Sequence, residues 1–181
     1  MKIIVIHDAR YGIAKNGKQF IHITEDLRWF RKITGDHPVA MGRVTAEQLP
    51  GKKPLKGREN IVLSRTMRKS MDLMDNGFKI GSMTAIDKMD NEAFIIGGAT
   101  VYNQVLSLDW TRTPAVKPLV DEIYGTHVLH DFDCDKRILL NQYLNLNDWR
   151  FERLSDVKLH VSSDGSEYPY YHYRLTRKVA E

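Results

Sequence analysis

Ala93-Phe94-Ile95-Ile96-Gly97-Gly98-Ala99-Thr100-Val101-Tyr102-Asn103-Gln104 is the stretch whose reading decides the fold. A short apolar run ends in two adjacent glycines, and a helix-compatible segment follows at once. That order describes a fully buried strand feeding a helix through a turn that carries no side chains. With no Cβ in the turn, a flat or phosphorylated ligand can lie directly on the backbone. The free N–H groups at the helix start suit an anion. A strand-to-helix turn that needs glycine only for its dihedral angles gives the same pattern, so the flanking sequence has to separate the two readings.

Outward from this unit the chain alternates strand-like and helix-like segments. Strands are predicted at Ile3–His7, Pro38–Met41, Asn60–Ser64, Phe78–Ile80, Phe94–Ile96 and Glu122–His127. Helices are predicted at Glu25–Thr34, Thr45–Leu49, Met83–Met89 and Val101–Leu106. Such alternation builds an α/β fold around a mostly parallel sheet. The C-terminal part changes period. Arg150–Leu159 and Tyr168–Arg177 alternate apolar and polar residues about Ser162-Ser163-Asp164-Gly165-Ser166, the pattern of an antiparallel hairpin closing a sheet edge. Asp109–Pro118, with its two prolines, reads as a surface loop.

Length and charge restrict the function class. A chain of 181 residues suits a single domain with a substantial core. Its net charge of +4 is mild, and Lys and Arg are dispersed, which argues against a nucleic-acid surface and allows a small anionic ligand. The lone cysteine, Cys134, excludes an internal disulfide and fits a reducing cytoplasm. No apolar run approaches membrane-spanning length, and Met1 leads straight into a strand-like run, so neither membrane anchor nor leader is expected.

Asp26 is the second informative residue. On a helix capped by Thr24, it shares a face with Phe30 and Ile33, flanked by Leu27 and Trp29, while Arg28, Arg31 and Lys32 project the other way. An acid in a first helical turn commonly serves the helix dipole, but Glu25 already fills that place. A carboxylate on the apolar face has a raised pKa and is a candidate proton donor or ligand anchor. Met41-Gly42-Arg43-Val44-Thr45 joins a strand end, a glycine, a cation and a helix start, the makings of a phosphate site without the G-x-G-x-x-G fingerprint. Arg58 and Arg65 stand at opposite ends of the following strand and suit a pocket holding two separate anionic groups.

Taken in order, these segments resemble dihydrofolate reductase. The landmarks are Gly12-Ile13-Ala14-Lys15-Asn16-Gly17, Glu25-Asp26-Leu27-Arg28-Trp29-Phe30, Val39-Ala40-Met41-Gly42-Arg43, Pro54 to Arg65, Ile95-Ile96-Gly97-Gly98-Ala99 and Asp121 to His127. The resemblance implies a single-domain α/β fold with a mostly parallel eight-stranded sheet, flanking helices and an antiparallel C-terminal hairpin. It implies reduction of 7,8-dihydrofolate to tetrahydrofolate with NADPH, antifolate-like small molecules as further ligands, and a monomer. Asp26 matches the acid that hydrogen-bonds the pterin and promotes protonation of its N5, and Thr126 the threonine that supports it. Ile4, Ile6, Leu27, Phe30 and Leu49 match the walls of the substrate pocket, and Arg58 the arginine that clamps the glutamate α-carboxylate. Gly97 and Gly98 match a glycine pair beneath the cofactor, joined in the family by a cis peptide. Ile96 and Tyr102 match residues beside the nicotinamide. Arg43, Thr45, Ser64 and Arg65 match the group holding the adenosine phosphates, with Arg43 and Arg65 the readers of the 2′-phosphate. Ile6, Ile13, Gly42, Val44, Leu63, Ala99, Thr100 and Val101 complete the cofactor set.

The chain also departs from the family pattern. Gln19-Phe20-Ile21-His22 stands where Leu-Pro-Trp or Met-Pro-Trp is usual, so no tryptophan helps hold a water near the pterin. Ala14 replaces a glycine in the same loop, and Ala46 a common Trp or Phe. Ile6 and His7 replace small alanines and are expected to narrow the pocket. These changes imply an active enzyme with altered loop behaviour and antifolate affinity. Asp131-x-Asp133-x-Asp135 opens like a calcium loop, but Lys136 stands where glycine is needed, and a solvent-exposed turn accounts for it better. His127 and His130 face opposite sides of a strand, so no metal site is expected. Two rival functions stay open: an NADPH-dependent pyrimidine reductase of similar fold, and a non-catalytic protein that keeps the fold. The former needs neither Asp26 nor Arg58. Only the altered loop favours the latter.

Overall fold

Ile3, Val39, Ala40, Val62 and Ile95 lie on neighbouring strands and are wholly buried, because each strand has another on both sides and helices over its faces. A computed structural model of the chain describes residues 1–66, 71–111 and 118–178. The strands are β1 (Lys2–His7), β2 (Gly12–Lys15), β3 (Lys18–Gln19), β4 (Val39–Gly42), β5 (Asn60–Ser64), β6 (Lys79–Ser82), β7 (Phe94–Gly97), β8 (Glu122–Val128), β9 (Lys136–Arg137), β10 (Trp149–Arg153), β11 (Lys158–Val161) and β12 (Glu167–Arg177). The helices are α1 (Thr24–Thr34), α2 (Arg43–Gln48), α3 (Met71–Asp75), α4 (Ala99–Trp110) and α5 (Leu140–Tyr143), with a 3₁₀ turn at Met83–Lys88.

The main sheet runs β10-β12-β8-β1-β7-β4-β5-β6, with β11 beside β10 on the same edge of β12, so eight positions span its width. All pairs from β8 to β6 are parallel, while β12 is antiparallel to β8, β10 and β11. A second sheet, β3-β2-β9, is made of strands of two to four residues, too short for periodicity to reveal.

Three boundaries differ from the sequence reading. The strand expected over Arg150–Leu159 is interrupted at Leu154–Val157, where four residues face only Tyr171 and His172 of β12. The backbone N–H of His172 donates there to Ser155 Oγ at 3.0 Å instead of to a neighbouring strand. α4 continues through Trp110, so Asp109 is helical. Its carboxylate accepts from the backbone N–H groups of Leu119 at 2.6 Å and Val120 at 3.1 Å, and it pairs with Arg177. The remainder of the expected loop, 112–117, lies outside the described residues. Thr24 is not a cap. Ile23 holds that position in extended conformation, buried, with no side-chain bond to the helix start.

Gly125 lies against the Tyr173 ring of β12 so closely that a Cβ would overlap the ring carbons. The hydroxyl of that ring is 2.8 Å from His7 Nε2 in the core. Gly125→Ala is expected to destabilise the protein by about 1–3 kcal/mol, the scale of overpacking a filled interior. Urea denaturation checks this. Tyr173→Leu in the same chain should lower the cost of the alanine, a coupling absent between distant sites.

Candidate active site

The cleft exists because two parallel strands part company. The β1–β7 ladder ends after Ile3 faces Ile95, whereas β1 stays paired with β8 as far as His7 opposite His127. On its other side, β7 carries one extra residue: Ala40 faces Ile95 and Met41 faces Gly97, which leaves Ile96 over. The carbonyl of Ile4, deserted by β7, accepts a 2.6 Å hydrogen bond from the Tyr102 hydroxyl on α4. A cleft of about 1200 Å³ opens at the carboxyl ends of the parallel strands, where ligands collect in sheets of this type.

Asp26 sits near the middle of this cleft, 8% exposed. Its Oδ1 accepts from the Thr126 hydroxyl of β8. Burial pushes the acid up to about 6, against the lowering effects of the Thr126 bond and of His22. Glu25, one residue earlier, points outward and is bonded by Lys158 and Tyr170. The two carboxylates of the first turn thus have opposite fates, set by the face on which each stands. Thr126 Oγ1 is also 2.9 Å from His172 Nδ1 on β12, a residue that strand alternation gave no reason to single out.

Arg58 marks one end of the cleft. One guanidinium nitrogen donates to Thr34 Oγ1 at the end of α1, and its Nε is buried without a hydrogen-bond partner. Arg31 borders the cleft at this end, contrary to the expectation that it projects away, and its charge adds to burial in lowering the Arg58 pKa. Leu27, Phe30 and Leu49 line the stretch between Arg58 and Asp26.

Gly97 and Gly98 mark the other end, joined by a cis peptide, with Gly97 at φ +136°. A Cβ on Gly98 would press Thr45 Oγ1 at 3.2 Å, and one on Gly42 would press Val101 at 3.1 Å, so both glycines are closely packed by side chains. α4 starts at Ala99 with no side chain capping it; the N–H groups of Val101 and Tyr102 donate to the Gly98 carbonyl, which leaves those of Ala99 and Thr100 uncovered beside the cleft. Ile13, Arg43, Val44, Leu63, Ser64, Arg65, Ile96 and Thr100 line the same region. Arg43 pairs with Glu47 at 2.6 Å, so this cation is already shared within α2. Exposed backbone donors beside cations fit a dinucleotide carrying phosphates.

Ile6 lines the cleft, but His7 does not. Side chains alternate along β1, and His7 points to the opposite face, bonded to Tyr173 and to the Asp8 carbonyl. Ile21, in the tryptophan's place, is buried against Ile23, Val128 and Tyr170. The acidic run after β8 does more than form an exposed turn. Asp135 accepts from the Asn16 backbone N–H at 3.0 Å and Asp133 pairs with Lys15, bracing the β2–β3 hairpin. Asp8, which sequence reasoning missed, is wholly buried and receives the N–H groups of Gly12 at 2.6 Å, Arg10 at 2.8 Å and Phe132 at 3.2 Å. Burial alone would raise its pKa, but these donors hold it below the usual carboxylate range. At the hairpin tip the Gly17 carbonyl accepts from Gln48 of α2, so the hairpin crosses the cleft edge.

The family model described as dihydrofolate reductase matches residues 1–177. The dihydrofolate reductase of Schistosoma mansoni is 33% identical over 174 residues, covering 88% of this chain and 84% of its own length. That of Mycobacterium leprae (strain TN) is 37% identical over 126 residues, covering 67% of this chain and 70% of its own. A solved structure titled as dihydrofolate reductase from Enterococcus faecalis complexed with NADP(H) and RAB-propyl superimposes with a TM-score of 0.63 at 19% identity, covering 98% of this chain and 96% of that one, and so shares its fold. A match that begins at the first residue and ends with β12 takes in every element around the cleft, and the chain belongs to the dihydrofolate reductase family.

Proposed function

We propose that the reduction of 7,8-dihydrofolate to tetrahydrofolate by NADPH, the activity of this family, runs in this chain through Asp26 with Thr126 behind it. The observation that carries the assignment is a buried acid with a raised pKa that shares one cleft with Arg58 and with a helix start whose first backbone donors are uncovered. Bound NADPH supplies hydride to the pterin. The chain supplies position, exclusion of water and a proton. Asp26 hydrogen-bonds the pterin and promotes protonation at N5, and its raised pKa keeps a usable fraction protonated near neutrality. Thr126 holds the carboxyl group through Oδ1, which leaves the other oxygen for the pterin.

Arg58 takes the substrate's α-carboxylate, a task that suits a forked guanidinium better than an ammonium group. Leu27, Phe30 and Leu49 pack the rings between, while Ile4, Ile6, Ile96 and Tyr102 form the wall where substrate and nicotinamide meet. The phosphates are held by the N–H groups of Ala99 and Thr100, by Gly42, Thr45 and Ser64, and by Arg43 and Arg65. Gly97 and Gly98 let the cofactor lie on the backbone beside Val101, and Ile13, Val44 and Leu63 cover it. The same reading has a monomer at work in a reducing cytoplasm, with which the free, buried Cys134 agrees. Among the described residues no helix is long and apolar enough to cross a membrane.

Asp26→Asn keeps the shape of the protonated acid and removes the proton. NADPH oxidation in the presence of dihydrofolate should fall by about two orders of magnitude at pH 7, with partial recovery at low pH where the substrate arrives protonated. Unchanged turnover at pH 7 would reduce Asp26 to a helix-start acid. Stability should move the other way. A folded-state pKa raised to about 6 means that ionising Asp26 costs stability, with the cost growing as pH rises from the unfolded value of 3.8 through 6. The asparagine variant should therefore be more stable than the parent at pH 7.5, by up to about 3 kcal/mol, and the gain should vanish below about pH 4.

Arg58→Leu should weaken dihydrofolate binding by about 2–5 kcal/mol, the scale for removing one partner of a desolvated charge pair, with NADPH binding unaffected. A truncated pterin lacking the glutamate should bind parent and variant alike. Equal losses for both pterins, read by fluorescence titration, would refute the clamp.

A further inference from the structure

Thr126 has one hydroxyl proton and two polar neighbours, Asp26 Oδ1 and His172 Nδ1 at 2.9 Å. An ionised carboxylate can only accept, so once Asp26 is ionised the threonine proton must go to it. The 2.9 Å contact is then a hydrogen bond only if His172 Nδ1 carries a proton and donates. The ring is held in that pose from several sides. Trp29 of α1 stacks on it at 4.1 Å with 13° between the planes, and the backbone N–H of His172 is tied to Ser155 in the interruption between β10 and β11. Its Nε2 is buried without a partner, so a second ring proton would be a buried donor with nothing to receive it.

We propose that His172 is a positioning residue for the acid: a neutral Nδ1–H imidazole that donates to Thr126 and thereby commits the threonine proton to Asp26. This rests on the reading of Asp26 as the acid of the reaction. Burial, with Lys158 adding to it, drives the His172 pKa down to about 4, which agrees with a ring that stays neutral during turnover. The charged and titratable groups around the chain His172–Thr126–Asp26 are Glu25 on α1, Lys158 on β11, Tyr170 on β12, Tyr102 on α4 and His22 ahead of α1. Glu25 and Lys158 are paired with each other and act on the ring in opposite directions, Lys158 lowering its pKa and Glu25 raising it. A donor behind Thr126 polarises its hydroxyl and strengthens its bond to the carboxylate. His172 therefore favours ionised Asp26 and restrains the rise that burial imposes on it.

Two variants and one spectrum test this. His172→Phe keeps a flat ring on Trp29 and removes the donor, while His172→Asn places an amide N–H where Nδ1–H stood. In the single-turnover pH profile of NADPH oxidation, the limb that Asp26→Asn abolishes should move up by about half a unit to one unit in His172→Phe. It should return to the parental position in His172→Asn. Melting temperatures report whether each variant folds. In the native protein at pH 7–8, ¹⁵N spectra of the labelled ring should show a protonated Nδ1 and a bare Nε2. An unmoved limb in a folded His172→Phe, an asparagine variant that behaves like phenylalanine, or a ring protonated at Nε2 overturns the proposal. Loss of the limb's dependence on Asp26 would instead count against Asp26 as the acid. If neither variant folds, the tautomer in the native protein decides.

Discussion

The hydrogen bond between Thr126 and Asp26 is the constraint around which the rest of the site is arranged. A carboxylate buried at the start of α1 must either find a donor or shed its charge, because an uncompensated ion in an apolar pocket costs several kcal/mol. The chain takes an intermediate course. One donor from β8 reaches Oδ1, and burial still raises the acid to about 6. A fuller hydrogen-bond shell would lower the pKa, as it does for Asp8, whose carboxylate receives three backbone N–H groups and stays ionised. The contrast sets a carboxyl group held low beside one pushed up, separated by the number of donors each receives.

That bond also settles where α1 crosses the sheet. Glu25 is tied to Lys158 of β11 and Tyr170 of β12, so the helix start is fixed to the antiparallel edge on one side and to β8 on the other. The far end of α1 carries Thr34, which holds Arg58. One helix therefore sets the separation between Asp26 and Arg58. The opposite half of the cleft depends on β7, whose extra residue and paired glycines release β1 early and leave the start of α4 uncovered.

Much of this was legible in the sequence because the parallel strands are continuous apolar runs and the glycine pair, Arg43 and Arg65 stand at or directly after their carboxyl ends. The central strands, α1 and the glycine turn follow from periodicity and punctuation alone. The small sheet did not, since strands of two to four residues carry no periodic signal. The break at Leu154–Val157 was hidden because alternation continues on either side of it, and only the pairing partners disclose the change in register. His7 was placed in the pocket with Ile6 because both stand where the family has small alanines, although adjacent residues on a strand face opposite ways. His172 escaped notice because its partner Thr126 lies 46 residues away in the chain; of the Asp8 donors, Arg10 and Gly12 are local and only Phe132, 124 residues on, is beyond the reach of a local pattern.

The central claim is that burial, held in check by Thr126, keeps the Asp26 carboxyl group poised for proton transfer near neutral pH. Titration of the protein labelled with ¹³C at aspartate side-chain carboxyls measures this without substrate or turnover. The expected result is one resonance, absent in Asp26→Asn, with a midpoint near 6, while Asp8 titrates below the usual carboxylate range. A midpoint for Asp26 at or below about 4, the ordinary aspartate value, would contradict the account, because the acid would then be fully ionised wherever the enzyme works.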